Sequence, residues 1–128
     1  MGLQLSILNT SETPIYRQLY DEISCQIIRG ELTGGFCLPP IRQLAADLGI
    51  SVISIKRAWD ELERDGFIAT MVGRGCFVAN LTIEERDALR RKLALEQLEK
   101  SSRVYRELGM SAEEIVSLVR ENYADEQP

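Results

Sequence analysis

A mostly α fold with a small β-wing is the class predicted for this 128-residue chain, and three observations carry that reading. Residues 36 to 79 read as a short strand, a helix, a tight turn, a second helix and two β runs around a glycine-flanked arginine. An amphipathic helix precedes this block, and two helices that open on capping-box sequences follow it. That order is a winged helix-turn-helix followed by a two-helix C-terminal hairpin. The boundaries read as an arm over residues 1–13, the winged helix over 14–80 and the helical tail over 81–128, with Asn80 and Leu81 at the junction.

In the arm, Leu3, Leu5 and Ile7 alternate with polar or smaller neighbours, as in a strand laid over a surface. Thr13 and Pro14 then read as N-cap and first residue of a helix. Its inward stripe is Ile15, Leu19, Ile23 and Ile27, up to Gly30. The first helix of the central pair carries Ile41, Leu44, Ala45 and Leu48, and Gly49 permits the left-handed turn that ends it. Ser51 caps the second helix, whose Ile55, Ala58, Trp59 and Leu62 form the buried face. The opposite side near its start therefore presents Val52, Ile53, Ser54, Lys56 and Arg57 to solvent. Gly66 closes that helix. Phe67 to Ala69 and Phe77 to Ala79 make the β runs around the tip Val72-Gly73-Arg74-Gly75.

In a helix-turn-helix the start of the second helix enters the major groove, which is about as wide as a helix. An arginine on a hairpin tip can reach a phosphate or the minor groove beside it. The pattern therefore points to double-stranded DNA. Net charge of −5 stands against that partner, but its distribution answers the objection. Residues 14–80 carry seven basic and eight acidic side chains, whereas 81–128 carry eight and eleven. Fields of exposed charges decay over roughly 10 Å at moderate salt. A local cluster of Arg42, Lys56, Arg57 and Arg74 can thus bind phosphate despite acidity farther away.

Between Pro14 and Ala79 the chain resembles the GntR family of bacterial transcriptional repressors. The segments that carry the resemblance are Pro14-Ile15-Tyr16, Gly30-Glu31-Leu32-Thr33-Gly34-Gly35, Leu38-Pro39-Pro40-Ile41-Arg42-Gln43-Leu44-Ala45, the run from Arg57 to Gly66 and Gly73-Arg74-Gly75-Cys76-Phe77-Val78. The resemblance implies DNA contacts at Arg42, Ser51, Lys56 and Gly73, with Arg57 and Arg74 as phosphate ligands; Val52 and Ser54 at the helix start and Gly75 in the wing complete the expected DNA-binding set. Two positions depart from the family pattern. Val52 stands where many relatives carry a polar base-reading residue, and an aliphatic group there suits a thymine methyl. Pro40 replaces a serine cap ahead of Arg42.

The tail has two capping boxes, Thr82-Ile83-Glu84-Glu85 and Ser111-Ala112-Glu113-Glu114. The first opens a long helix with Leu89, Leu93, Leu98, Tyr105 and Leu108, ended by Gly109, and the second a shorter one with Ile115, Leu118, Val119 and Tyr123. Such a hairpin is too small to enclose a ligand pocket and cannot bury its own stripe, so a two-fold copy is its expected partner, the alternative being that it folds back on its own winged helix. It resembles the dimerisation tail of the YtrA-type branch. The resemblance implies a homodimer on a palindromic operator; a small-molecule effector, acting by a change in the spacing of the two recognition helices, is expected at the dimer interface or between winged helix and tail.

Composition excludes other classes. No stretch is long or apolar enough to span a bilayer, and the N-terminus lacks the basic flank and apolar core of a signal peptide, so a cytoplasmic protein without a membrane partner is expected. Cys25, Cys37 and Cys76 form no Cys-x-x-Cys pair and are expected as reduced core residues; there is no histidine. Neither metal nor cofactor is implied, and no nucleophile and base converge as an enzyme would need. A winged-helix module that grips another protein is the competing reading.

Overall fold

The computed structural model describes residues 2–126; Met1 of the arm and Gln127–Pro128 of the tail lie outside the described residues. The chain forms two compact units, Met1–Asp87 and Ala88–Pro128.

The first unit holds α1 (Ile15–Ile28), α2 (Ile41–Leu48), α3 (Val52–Arg64) and the antiparallel strands β1 (Ile68–Met71) and β2 (Gly75–Val78). The pairing runs Ile68 with Val78, Ala69 with Phe77, Thr70 with Cys76 and Met71 with Gly75. The expected strand near residue 36 is one bridge, Cys37 with Phe77, flanked by Leu38 N–H on the Cys76 carbonyl and Val78 N–H on that of Phe36. One core serves all these elements. Leu19, Ile23 and Ile27 of α1 meet Ile55, Ala58, Trp59 and Leu62 of α3 over Leu32, Leu38, Phe67 and Val78, all buried. Burial of such side chains contributes about 1.5–3 kcal/mol each. Tyr20 sets its ring edge-on to Phe67 and donates its hydroxyl proton to Asp65, so the polar end of a buried ring is satisfied.

The helix starts differ from expectation in one respect. Pro14 and Pro40 are N-caps with extended backbone and no side-chain hydrogen bond, so α1 begins at Ile15, one residue later than the Thr13 cap implies. The fixed proline φ positions each helix start without a hydroxyl. Ser51 caps as expected, its Oγ accepting the Ile53 N–H at 3.0 Å. Gly49 closes α2 at φ 67°, a left-handed conformation costly for other residues.

The arm is extended, and Leu3, Leu5 and Ile7 are half-buried while Gln4, Ser6 and Leu8 are exposed. Its backbone pairs with side chains rather than with a strand. Gln26 bonds both N–H and carbonyl of Gln4, Glu22 Oε1 accepts from Ser6 N–H at 2.9 Å, and Gln18 bonds both groups of Leu8. Three α1 residues spaced by four thus serve three arm residues spaced by two.

The cysteines depart from expectation. Cys25 and Cys37 are exposed and Cys76 is half-buried. In α1 the apolar stripe at Leu19, Ile23 and Ile27 puts Cys25 about half a turn away, on the solvent side.

α4 (Ile83–Glu107) starts at the end of the first unit and continues into the second, where α5 (Ala112–Glu126) follows. Both capping boxes form: Thr82 with Glu85 and Ser111 with Glu114 exchange backbone N–H for side-chain oxygen in each direction. Hydrogen bonds from the Thr82 backbone N–H and from its hydroxyl side chain hold the Glu85 carboxyl below its ordinary pKa. Gly109 closes α4, with Met110 N–H bonded back to the Tyr105 carbonyl. No described residue of α4 or α5 is buried, and Leu98, Leu108, Leu118, Val119 and Tyr123 are exposed. Among the described residues no helix is long and apolar enough to cross a membrane.

Candidate nucleic-acid interface

Helix α3 is held by its inner face, which frees the other for contact. Ile55, Ala58, Trp59 and Leu62 anchor it in the core. On the outer face Ile53 is 79% exposed and Val52 40%, while Ser54 is half-buried. The start of the helix thus offers apolar surface at the position that suits methyl groups. Lys56 and Arg57 are exposed one turn on. Lys56 Nζ lies 3.5 Å from Asp60 Oδ2 with both side chains about two-thirds exposed, a pair of the strength a phosphate can replace. Arg57 takes another course: its guanidinium carbon stacks 3.7 Å from the ring centroid of Tyr16, in the first turn of α1.

Arg42 is exposed as the second residue of α2. At the wing, Arg74 N–H bonds the Met71 carbonyl at 2.9 Å, and Gly73 at φ 78° takes the left-handed position of that turn. Gly73, Arg74 and Gly75 are all exposed, and Val72 at the tip is 97% exposed. Among the described residues neither Arg42 nor Arg74 makes an ion pair.

These elements meet at a cleft of about 400 Å³ between α3 and the wing. Pro40, Ile41 and Trp59 line its apolar part; Lys56, Glu63 and Arg74 line its polar part. The structure therefore brings Lys56 and Arg74 to one groove beside the start of α2. Arg57 does not line it. Its aromatic partner was not legible as a contact: Tyr16 and Arg57 are far apart in the chain, and periodicity says only which face of each helix is exposed. Met71, 49% exposed next to Val72 of the tip, was not singled out from the sequence. Among the described residues no group of three or more metal-ligating side chains occurs.

Comparison with known proteins agrees with this geometry. Residues 15–78 match the family "Bacterial regulatory proteins, gntR family". The chain is 36% identical to the uncharacterized HTH-type transcriptional regulator YhcF of Bacillus subtilis, over 86% of this chain and 90% of that protein. It is 34% identical to the HTH-type transcriptional repressor YtrA of Bacillus subtilis, over 69% and 70% respectively. Among solved structures, a transcriptional antiterminator from Listeria monocytogenes EGD-e superposes with TM-score 0.73 at 30% identity, covering 95% of this chain and 91% of that one. AraR(DBD) in complex with operator ORX1 superposes with TM-score 0.53 at 28% identity, covering 59% and 98%. With residues 15–78 matched by the family and 86% of the chain aligned with one relative and 69% with YtrA, the chain belongs to the GntR family of DNA-binding transcriptional regulators, in the YtrA-type branch.

Proposed function

We propose that the chain is a cytoplasmic repressor that binds a palindromic operator as a homodimer, works by occlusion of polymerase and acts by binding, not catalysis. The observation that carries it is the outer side of α3 and the wing: exposed Val52, Ile53, Lys56 and Arg57 beside a cleft lined by Lys56 and Arg74. Val52 and Ile53 contact thymine methyls in the major groove, with Ser54 reaching a base edge or phosphate. Lys56, Arg57, Arg42 and Arg74 hold phosphates, Ser51 presents the helix start, and Gly73 and Gly75 let the wing backbone approach the duplex. Homodimerisation through the tail is supported by the apolar side chains that α4 and α5 leave exposed. Two copies then place their α3 helices about one helical turn of DNA apart, roughly 34 Å. An effector, if the protein has one, binds where it changes that spacing, at the dimer interface.

Selection from random duplexes followed by fluorescence anisotropy tests this reading. The expected result is a palindromic site preferred about 10³-fold or more over a shuffled duplex at physiological salt. Lys56→Ala and Arg74→Ala should each weaken binding and lower the salt slope by about one. Selection that enriches no palindrome would overturn the dimeric reading. Unchanged affinity and slope in both variants would remove these residues from the interface and leave the protein-gripping module in its place.

A further inference from the structure

We propose that Tyr16 is a positioning residue for DNA binding: its ring holds the Arg57 guanidinium flat so that the N–H edge donates to a backbone phosphate. The inference rests on the reading of α3 as the helix that meets DNA. It starts from a contrast between two arginines that both lie over tyrosine rings. Arg17 sits 4.5 Å from the Tyr20 centroid, but its Nε is also 3.1 Å from Asp21 Oδ1. Tyr20 is buried and hydrogen-bonded to Asp65, so that pair belongs to the packing of the domain. Arg57 is closer to its ring, at 3.7 Å, and makes no ion pair among the described residues. Glu61, one turn along α3 and a natural partner, faces Arg64 instead at 3.7 Å. The first turn of α1 contains no acidic residue to take its place.

The chemistry follows from the shape of the group. A guanidinium is planar, with five donors around its rim and none on its faces. Stacking occupies one face and leaves the rim available. An exposed arginine otherwise samples many rotamers and loses that freedom when it binds. The tyrosine removes part of this cost before DNA arrives. Tyr16 and Arg57 come from the starts of α1 and α3, so the ring also ties the contact to the rigid core.

A double-mutant cycle on the selected operator tests the proposal, with Kd measured across a salt series. Arg57→Ala should weaken binding about tenfold and lower the salt slope by about one. Tyr16→Leu should weaken it about threefold, the scale of an exposed cation–π contact. In the double variant the tyrosine change should add nothing, and Tyr16→Phe, which keeps the ring, should restore wild-type binding. Arg57→Lys keeps the charge on a surface site but loses the planar stack, and should lose most of what Arg57→Ala loses. Multiplying losses in the double variant, or a wild-type salt slope in Arg57→Ala, would overturn the assignment. So would a Tyr16→Phe protein as weak as Tyr16→Leu, because the hydroxyl would then be the contact. If Tyr16→Leu fails to fold, an Arg57→Lys protein with wild-type affinity overturns it alone. Wild-type protein that prefers no duplex sinks the DNA-binding reading itself, and this one with it.

Discussion

The winged helix and the tail solve the problem of burying apolar surface in opposite ways. In the first, Leu19, Ile23, Ile55, Leu62 and Phe67 are wholly enclosed by the unit's own elements. In the second, helices of 25 and 15 residues enclose no described side chain. Helix geometry is equally regular in both, with well-formed caps at Thr82 and Ser111. Caps and hydrogen bonds therefore define where helices start; whether a region is complete by itself depends on the surface it can cover. The winged helix is complete by itself, whereas the tail leaves its described apolar side chains uncovered.

The largest effect should come from breaking the complete side. Leu62→Ala, at a site with no solvent exposure, is expected to cost about 2–5 kcal/mol of unfolding free energy. Chemical denaturation should show that loss at every protein concentration. Next is the unfinished side. Leu118→Glu places a charge on exposed apolar surface and should leave the winged helix folded by circular dichroism while sedimentation equilibrium reports a monomer. A protein that stays dimeric would show that this part of α5 is not the covered face.

A smaller change sharpens the comparison at the edge of the complete unit. Glu22 Oε2 is buried without a hydrogen-bond partner among the described residues. Its neighbours along α1, Gln18 and Gln26, each both accept from and donate to the arm. Glu22→Gln supplies the missing donor and should stabilise arm docking by about 1 kcal/mol, seen as slower amide exchange at Ser6; unchanged exchange would refute it. The smallest effect concerns the start of α4. Glu85 has its pKa lowered by the Thr82 backbone N–H and by the Thr82 side chain. Its contribution is fully present above the ordinary glutamate pKa and is lost as pH falls through the lower folded value. Acid titration should therefore fray the first turn of α4 below that ordinary range, and Glu85→Gln should remove the pH dependence.

Much of this was legible in the chain. Ile55, Ala58, Trp59 and Leu62 are buried as their spacing requires, and Ser51, Thr82 and Ser111 cap the helices they precede. Local rules suffice there because each signal and its effect lie within one turn. Pro14 shifts a boundary because proline satisfies the backbone geometry of a cap without its hydrogen bond. The cysteines were misplaced since their chemistry favours burial while the helix period at Cys25 does not. Tyr16 on Arg57, and Lys56 with Arg74 on one cleft, depend on how α1, α3 and the wing pack. Spacing along the chain carries no record of that.

The arm on α1 works as a molecular vernier. Four helical residues advance about 6.0 Å along the axis, whereas two extended residues advance about 6.6–6.8 Å. The two scales agree well enough for Gln26, Glu22 and Gln18 to reach Gln4, Ser6 and Leu8 in turn. The mismatch accumulates to more than about 1 Å over two steps, so the match cannot run on indefinitely. After Leu8 the chain turns, with Ser11 N–H bonded back to its carbonyl. Such a scale also rejects a slip of one residue, which would aim alternate backbone groups away from the helix and lift Leu3, Leu5 and Ile7 off their seat.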